Sequence, residues 1–217
     1  MKYKAVLFDM DGTVLNTLDD LTDSMNHVLA QFGFPEITTA YAASILGNGA
    51  ACFLDGSIPK DTPRELRDQM LATFIPWYKD HCQIKTAPYP GIITLMEALR
   101  DAGVRLAVVS NKPDSAVKPL AAQHFPGLLD FAVGESAAVR RKPDPDTVFA
   151  ALRALGVSQE ESVYVGDTEV DLKTAENAGM DCAAVTWGFR TVQQLKALGA
   201  KHIFDSAEAL GEFLLND

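Results

Sequence analysis

The sequence predicts an α/β fold, a doubly wound parallel sheet carrying an inserted all-helical cap domain. Three observations carry that expectation. Short apolar runs end abruptly in polar residues, as buried strands do when they deliver side chains at the carboxyl edge of a sheet. From Pro90 onward these runs alternate with helical patterns, the signature of parallel strands joined by crossover helices. Between residues 18 and 86 the alternation stops and nothing reads as a strand.

The elements follow in order. Residues 4–8, Lys-Ala-Val-Leu-Phe, form the first strand and stop at Asp9. Leu18, Leu21, Met25, Val28, Leu29 and Phe32 then recur at helical spacing until Gly33. A second helical region follows Thr38 and Thr39 and ends in Gly47-Asn48-Gly49. A third begins near Pro63 and runs through Leu66, Met70, Phe74, Trp77 and Tyr78. Together they make a small bundle with its own core. The chain enters it near Asn16-Thr17 and leaves near Ala87-Pro88-Tyr89-Pro90-Gly91, both hinge-like. The expected division is residues 1–16 and 87–217 as α/β core and residues 17–86 as cap. Beyond it, strands are expected at residues 105–110, 131–134, 162–167 and 181–186, with a short one at 202–204. Helical stripes fall at Leu95, Leu99 and Ala102, at Val148, Ala151, Leu152 and Leu155 ahead of Gly156, and at Leu172, Ala175 and Ala178 ahead of Gly179.

Composition narrows the function. Apolar residues are 47% and charged residues 22% of the 217, ordinary for a folded protein. A net charge of −10 repels phosphate backbones and anionic lipid, so neither nucleic acid nor a membrane is an expected partner. A small anionic ligand stays compatible, because a local cation cluster or metal can reverse the field inside a pocket. No apolar stretch approaches a bilayer span or a signal-peptide core, so the cytoplasm is the expected location. Cys52, Cys82 and Cys182 are scattered and odd in number, and read as reduced, buried residues.

The residues that carry chemistry stand at strand ends. Asp9-Met10-Asp11-Gly12-Thr13 follows the first strand and aims two carboxylates into the crevice where open parallel sheets bind ligands. Gly12 lets backbone N–H groups approach an anion. Ser110-Asn111 closes another strand with a hydroxyl and an amide, and Lys142-Pro143 offers a cation. Gly166-Asp167 ends a further strand, with Asp171 one helical turn on. Asp9 and Asp167 suit a hard cation with oxygen ligands, most naturally Mg²⁺. Gly47-Asn48-Gly49 reads either as a helix C-cap or as a turn facing substrate. Trp187-Gly188-Phe189-Arg190 lies near the sheet edge, where it could shape a pocket rim, and Arg64 shares a helix with Glu65 and Asp68.

Taken as a set, Asp9-x-Asp11-Gly12-Thr13, strand-ending Ser110, Lys142-Pro143 and Gly166-Asp167 with Asp171 resemble the haloacid dehalogenase superfamily of aspartyl-phosphate phosphatases. They stand in that family's order and spacing, over essentially the whole chain. The resemblance implies a Rossmann-like core and a helical cap. It implies that Asp9 is the nucleophile, that Asp11 protonates the leaving alkoxide and later accepts a proton from water, and that Lys142 neutralises the Asp9–phosphate pair. Gly12, Thr13, Ser110 and Asn111 would hold phosphoryl oxygens. Asp9, the Asp11 carbonyl, Asp167 and Asp171 would serve the Mg²⁺ site, and Gly47, Asn48 and Gly49 would help select substrate. Asp11 separates the chain from dehalogenases and phosphonoacetaldehyde hydrolases, which lack that aspartate. Thr13 tilts it from β-phosphoglucomutases toward hydrolysis. Asn16, where relatives commonly carry aspartate, is a departure at the hinge.

Within the superfamily the chain is most similar to phosphoglycolate phosphatases. That implies a small phosphorylated metabolite as partner and a monomer or homodimer. Rival activities are a pyrophosphatase, a sugar-phosphate or nucleotide phosphatase, a phosphotransferase, and a non-catalytic phosphometabolite-binding module.

Overall fold

The structure, a computed structural model, describes residues 2–216. It falls into two compact units. One comprises residues up to Leu15 and from Pro88 onward, the other Asn16–Ala87.

The first unit is built on six parallel strands. These are β1 (Ala5–Phe8), β4 (Arg105–Pro113), β5 (Phe131–Glu135), β6 (Ser162–Gly166), β7 (Asp181–Val185) and β8 (His202–Phe204), in the spatial order β5-β4-β1-β6-β7-β8. The remaining two strands, β2 (Leu15–Asn16) and β3 (Ala87–Pro88), pair as a two-residue ribbon where the chain passes between the units. Central β1 is fully buried on both faces, as its uninterrupted apolar sequence requires. Ala5, Leu7, Ala107, Val109 and Tyr164 face one side, where they pack with Val148, Ala151, Leu152 and Leu155 of α7 (Asp146–Leu155) and with Ala175 and Ala178 of α8 (Glu169–Ala178). The side chains between them, such as Val6, Phe8, Leu106, Val108, Val163 and Val165, turn to the other face and are equally buried. Helices α5 (Ile92–Asp101), α6 (Asp114–His124), α9 (Val192–Ala197) and α10 (Ala207–Asn216) complete the unit. This is a doubly wound α/β core.

Strand β4 departs from expectation. A strand over residues 105–110 is predicted, yet it runs to Pro113, with its pairing to β5 slipping between Val109 and Pro113. The polar Ser110-Asn111-Lys112 run stays extended and buried because its groups are held by partners described below.

The second unit is all-helical, with α1 (Leu18–Gln31), α2 (Thr39–Ile45), α3 (Gly49–Ser57) and α4 (Arg64–His81). Leu21, Met25, Val28 and Leu29 of α1 and Met70, Phe74 and Tyr78 of α4 are buried. Here the sequence expectation is corrected, because residues 49–57 are a fourth helix. Two glycines in nine residues, Gly49 and Gly56, hide its periodicity, yet a side chain at Gly56 would press on Ile45. Gly47 and Asn48 therefore lie between two helices and Gly49 begins α3, with Gly47 and Gly49 at positive φ and Asn48 at the N-cap of α3. Among the described residues, no helix is long and apolar enough to cross a membrane.

Candidate active site

Parallel register brings the first polar residues together. Phe8 is aligned with Val108 of β4 and Val165 of β6, so Asp9, Ser110 and Asp167 emerge at the same sheet edge. The Asp9 backbone continues the ladder by donating to Val165 O at 2.8 Å. Oxygen atoms of Asp9, Asp167 and Asp171 all lie within 4.8 Å of one another, and all three residues are buried.

One lysine enters this cluster. Lys142 Nζ is 2.8 Å from Asp9 Oδ1, 2.8 Å from Asp171 Oδ1 and 3.0 Å from the Tyr164 hydroxyl. Lys142 is 1% exposed, so its ammonium is compensated by these partners rather than by water. Asn111 mounts the lysine, its amide donating to Lys142 O at 3.0 Å and its carbonyl accepting from Lys142 N at 2.7 Å. The neighbouring Arg140 instead pairs with Asp144 and Asp146 at the surface.

Asp171 is almost fully occupied. Oδ1 takes Lys142, with the Tyr164 hydroxyl at 3.3 Å. Oδ2 accepts from Asp167 N (3.2 Å), Thr168 N (3.0 Å) and the Thr168 hydroxyl (2.7 Å), tying the start of α8 to the end of β6. Asp167 receives the Thr13 hydroxyl at 2.8 Å and Phe189 N at 2.7 Å. Gly12 and Gly188 close over it. A Cβ at either position would collide with the Asp167 carboxylate, and Gly12 takes φ 87°. Trp187 adds a bond from its indole N–H to Thr13 O at 3.0 Å. Asp11 forms a separate pair with Lys112 Nζ at 3.0 Å. Ser110 Oγ accepts from Lys112 N at 3.1 Å.

The charges are unbalanced. Burial, then the Asp171 and Asp11 carboxylates, push the Asp9 carboxyl up to about 7 against the opposing pull of Lys142. Burial, then Asp171 and Asp9, lift Asp167 well above the ordinary carboxylate range. Burial works against the charge on Lys142, but Asp171 and Asp9 outweigh it and hold its proton firmly. Carboxylates crowded out of water and short of cations fit a hard, oxygen-seeking cation among them. The donor set therefore suits a divalent metal.

The structure thus gathers Asp9, Thr13, Lys142, Asp167 and Asp171 into one bonded network, with Gly12 packed against the Asp167 carboxylate. Ser110, Asn111 and Asp11 stand beside it through Lys112 and Lys142. Gly47, Asn48 and Gly49 belong to the helical unit. Tyr164 was not read as a site residue from sequence, and Gly188 was read only as part of a pocket rim from Trp187 to Arg190. Tyr164 offered a signal, since a phenol inside a fully buried strand must find a polar partner.

Comparison with known proteins gives a consistent picture. The profile of the haloacid dehalogenase-like hydrolases matches residues 6–185. A phosphoglycolate phosphatase of Rhodospirillum rubrum is 32% identical, over 97% of this chain and 90% of its own length. An N-acetylmuramic acid 6-phosphate phosphatase of Pseudomonas aeruginosa is 29% identical, over 87% of this chain and 84% of its own. Among solved structures, a candidate phosphoglycolate phosphatase from Lactobacillus delbrueckii subsp. bulgaricus superposes with a TM-score of 0.96 at 43% identity, covering all of both chains.

Proposed function

The chain belongs to the haloacid dehalogenase-like hydrolases, and from that membership we propose that it is a Mg²⁺-dependent phosphomonoesterase that turns over 2-phosphoglycolate through an aspartyl-phosphate on Asp9. The observation that carries this reading is Lys142 Nζ, 2.8 Å from the oxygens of both Asp9 and Asp171 at the edge where Asp167 also ends its strand.

Asp9 Oδ attacks phosphorus as the bond to the ester oxygen breaks. The leaving oxygen keeps the electron pair and takes a proton from Asp11, releasing glycolate. Asp11, now a carboxylate, accepts a proton from water. That water attacks phosphorus, the Asp9–phosphorus bond breaks, and phosphate departs. Lys142 stabilises the negative charge that accumulates around Asp9 in both steps. Ser110 and the Asn111 backbone hold phosphoryl oxygens beside the Gly12–Thr13 turn, whose Gly12 N–H already donates to Leu15 O. Asp9, Asp167 and the Asp11 carbonyl would bind the cation. Asp171, its oxygens already engaged, would orient Lys142 and the Asp167 loop. When bound, the cation supplies positive charge that offsets repulsion between an anionic nucleophile and an anionic ester.

Support for the substrate comes from the phosphoglycolate phosphatase relatives. The helical unit, acting as a cap with Gly47, Asn48 and Gly49, would choose the leaving group. The muramic acid 6-phosphate relative favours a sugar phosphate as second reading. A kinetic panel of 2-phosphoglycolate, hexose phosphates, N-acetylmuramic acid 6-phosphate, pyrophosphate and nucleotides separates them. 2-Phosphoglycolate is expected to lead by at least about tenfold in kcat/KM, or about 1.4 kcal/mol of transition-state binding. A sugar phosphate in first place would replace this substrate. Activity that survives thorough chelation would remove the metal, and indifference to vanadate would count against the covalent step.

A further inference from the structure

We infer that Lys112 is a positioning residue for Asp11, pinning one carboxylate oxygen so that the other is presented to the leaving group; this rests on the phosphatase reading above. Lys112 is a buried lysine, its side chain 3% exposed, and its Nζ stands 3.0 Å from Asp11 Oδ1. Burying an ammonium is costly without a partner, so a lysine kept at this depth implies a purpose for the pair. The Asp11 side chain is 18% exposed, yet Oδ1 is itself buried, and its contact with Lys112 is a charge pairing without an aligned hydrogen bond. The exposed share lies elsewhere on the side chain, and Oδ2 is the oxygen left to exchange a proton.

Both ends of the pair are anchored in backbone. Asp11 bridges to Leu15, and Gly12 N donates to Leu15 O at 2.9 Å, which closes the loop after β1. Lys112 N donates to Ser110 Oγ at 3.1 Å. Its carbonyl lies so close to Gly134 of β5 that a side chain there would collide with it and with the Asp114 backbone. Strands β1 and β4 are adjacent and parallel, so the pair spans neighbouring strand ends. A proton donor fixed in this way meets the leaving oxygen without first losing orientational freedom. As the phosphorus–oxygen bond breaks, Asp11 Oδ2 gives its proton to the leaving oxygen, and the new carboxylate charge forms beside the ammonium already held there.

Leaving groups differ in how much they need that proton. A p-nitrophenolate departs unaided, whereas an ethoxide does not. Values of kcat/KM for p-nitrophenyl phosphate and ethyl phosphate, which report transfer to Asp9 alone, therefore isolate the role of Lys112. Lys112→Gln is expected to lose roughly 10- to 100-fold on ethyl phosphate and less than about threefold on p-nitrophenyl phosphate. Lys112→Arg, which keeps the charge and the reach, should recover most of the loss. The alkyl-to-aryl ratio is measured within one preparation, so a misfolded fraction cancels. An equal loss on both esters would overturn the inference while leaving the phosphatase reading intact. Wild-type protein that hydrolyses neither ester would sink that reading, and the inference with it.

Discussion

Asp9 and Asp20 are both buried aspartates, and they live in opposite circumstances. In the helical unit, Asp20 is surrounded by donors. Lys85 N approaches both its oxygens at 3.0 Å, Thr86 N reaches it at 2.9 Å and the Thr86 hydroxyl at 2.8 Å. It fastens the returning chain to α1. At the sheet edge, Asp9 and Asp167 face other carboxylates, and burial and repulsion raise their hold on protons. A buried carboxylate met by donors alone is a fastener. Asp9 and Asp167 have donors too, Lys142 for one and Thr13 and Phe189 for the other, but they also face buried carboxylates, and that surplus of negative charge suits a hard cation.

Substituting each aspartate breaks the comparison most sharply. Asp9→Asn should lower turnover of phosphate esters by about 10⁴-fold or more, because the amide removes the proposed nucleophile. Steady-state rates decide it, and residual turnover within about tenfold of wild type would place the nucleophile elsewhere. Asp20→Ala should cost about 3 kcal/mol in urea denaturation, because it strands the donors of Lys85 and Thr86. A loss below about 1 kcal/mol would mean that water takes over those bonds.

The smaller effects sharpen it. With Asp9 raised to about 7, the folded state binds more protons than the unfolded chain between roughly pH 4 and 7. Metal-free protein should therefore lose stability as pH rises through that window. Asp9→Asn should melt a few degrees higher than wild type near pH 7.5, and the gap should close near pH 4. A divalent cation should raise the wild-type melting temperature and leave the variant less changed. Smallest of all, His27→Ala should destabilise the helical unit by about 1 kcal/mol. His27 stacks on Trp77 with ring centroids 3.4 Å apart, and Trp77 stacks in turn on His81. Thermal melts of the paired variants would show it.

The ends of β1 and β6 were legible in the sequence because each apolar run stops at an aspartate, whereas β4 runs on past Ser110 through buried polar residues. Parallel register then carries Asp9, Ser110 and Asp167 to one edge with no further information. The helical character of the insertion was legible from α1 and α4, whose apolar spacing is regular. Helix α3 was not, because Gly49 and Gly56 break its pattern and its justification lies in how Ile45 packs. Asp20 was equally hidden, since its partners stand 65 and 66 residues on. The assignment of Asp171 to Lys142 and the start of α8, and of Lys112 to Asp11, depends on side-chain directions across neighbouring strands. Spacing along the chain does not encode those.

The ribbon of β2 and β3 has a practical corollary. Tyr89 N donates to Val14 O at 3.2 Å, so the points at which the polypeptide departs from and rejoins the sheet unit are already bonded neighbours. Splicing Leu15 to Pro88 through a short glycine turn would leave all six parallel strands and their pairings untouched. Such a miniature would put the carboxylate cluster under study without the helical unit, and the same splice point would accept a foreign helical module in its place.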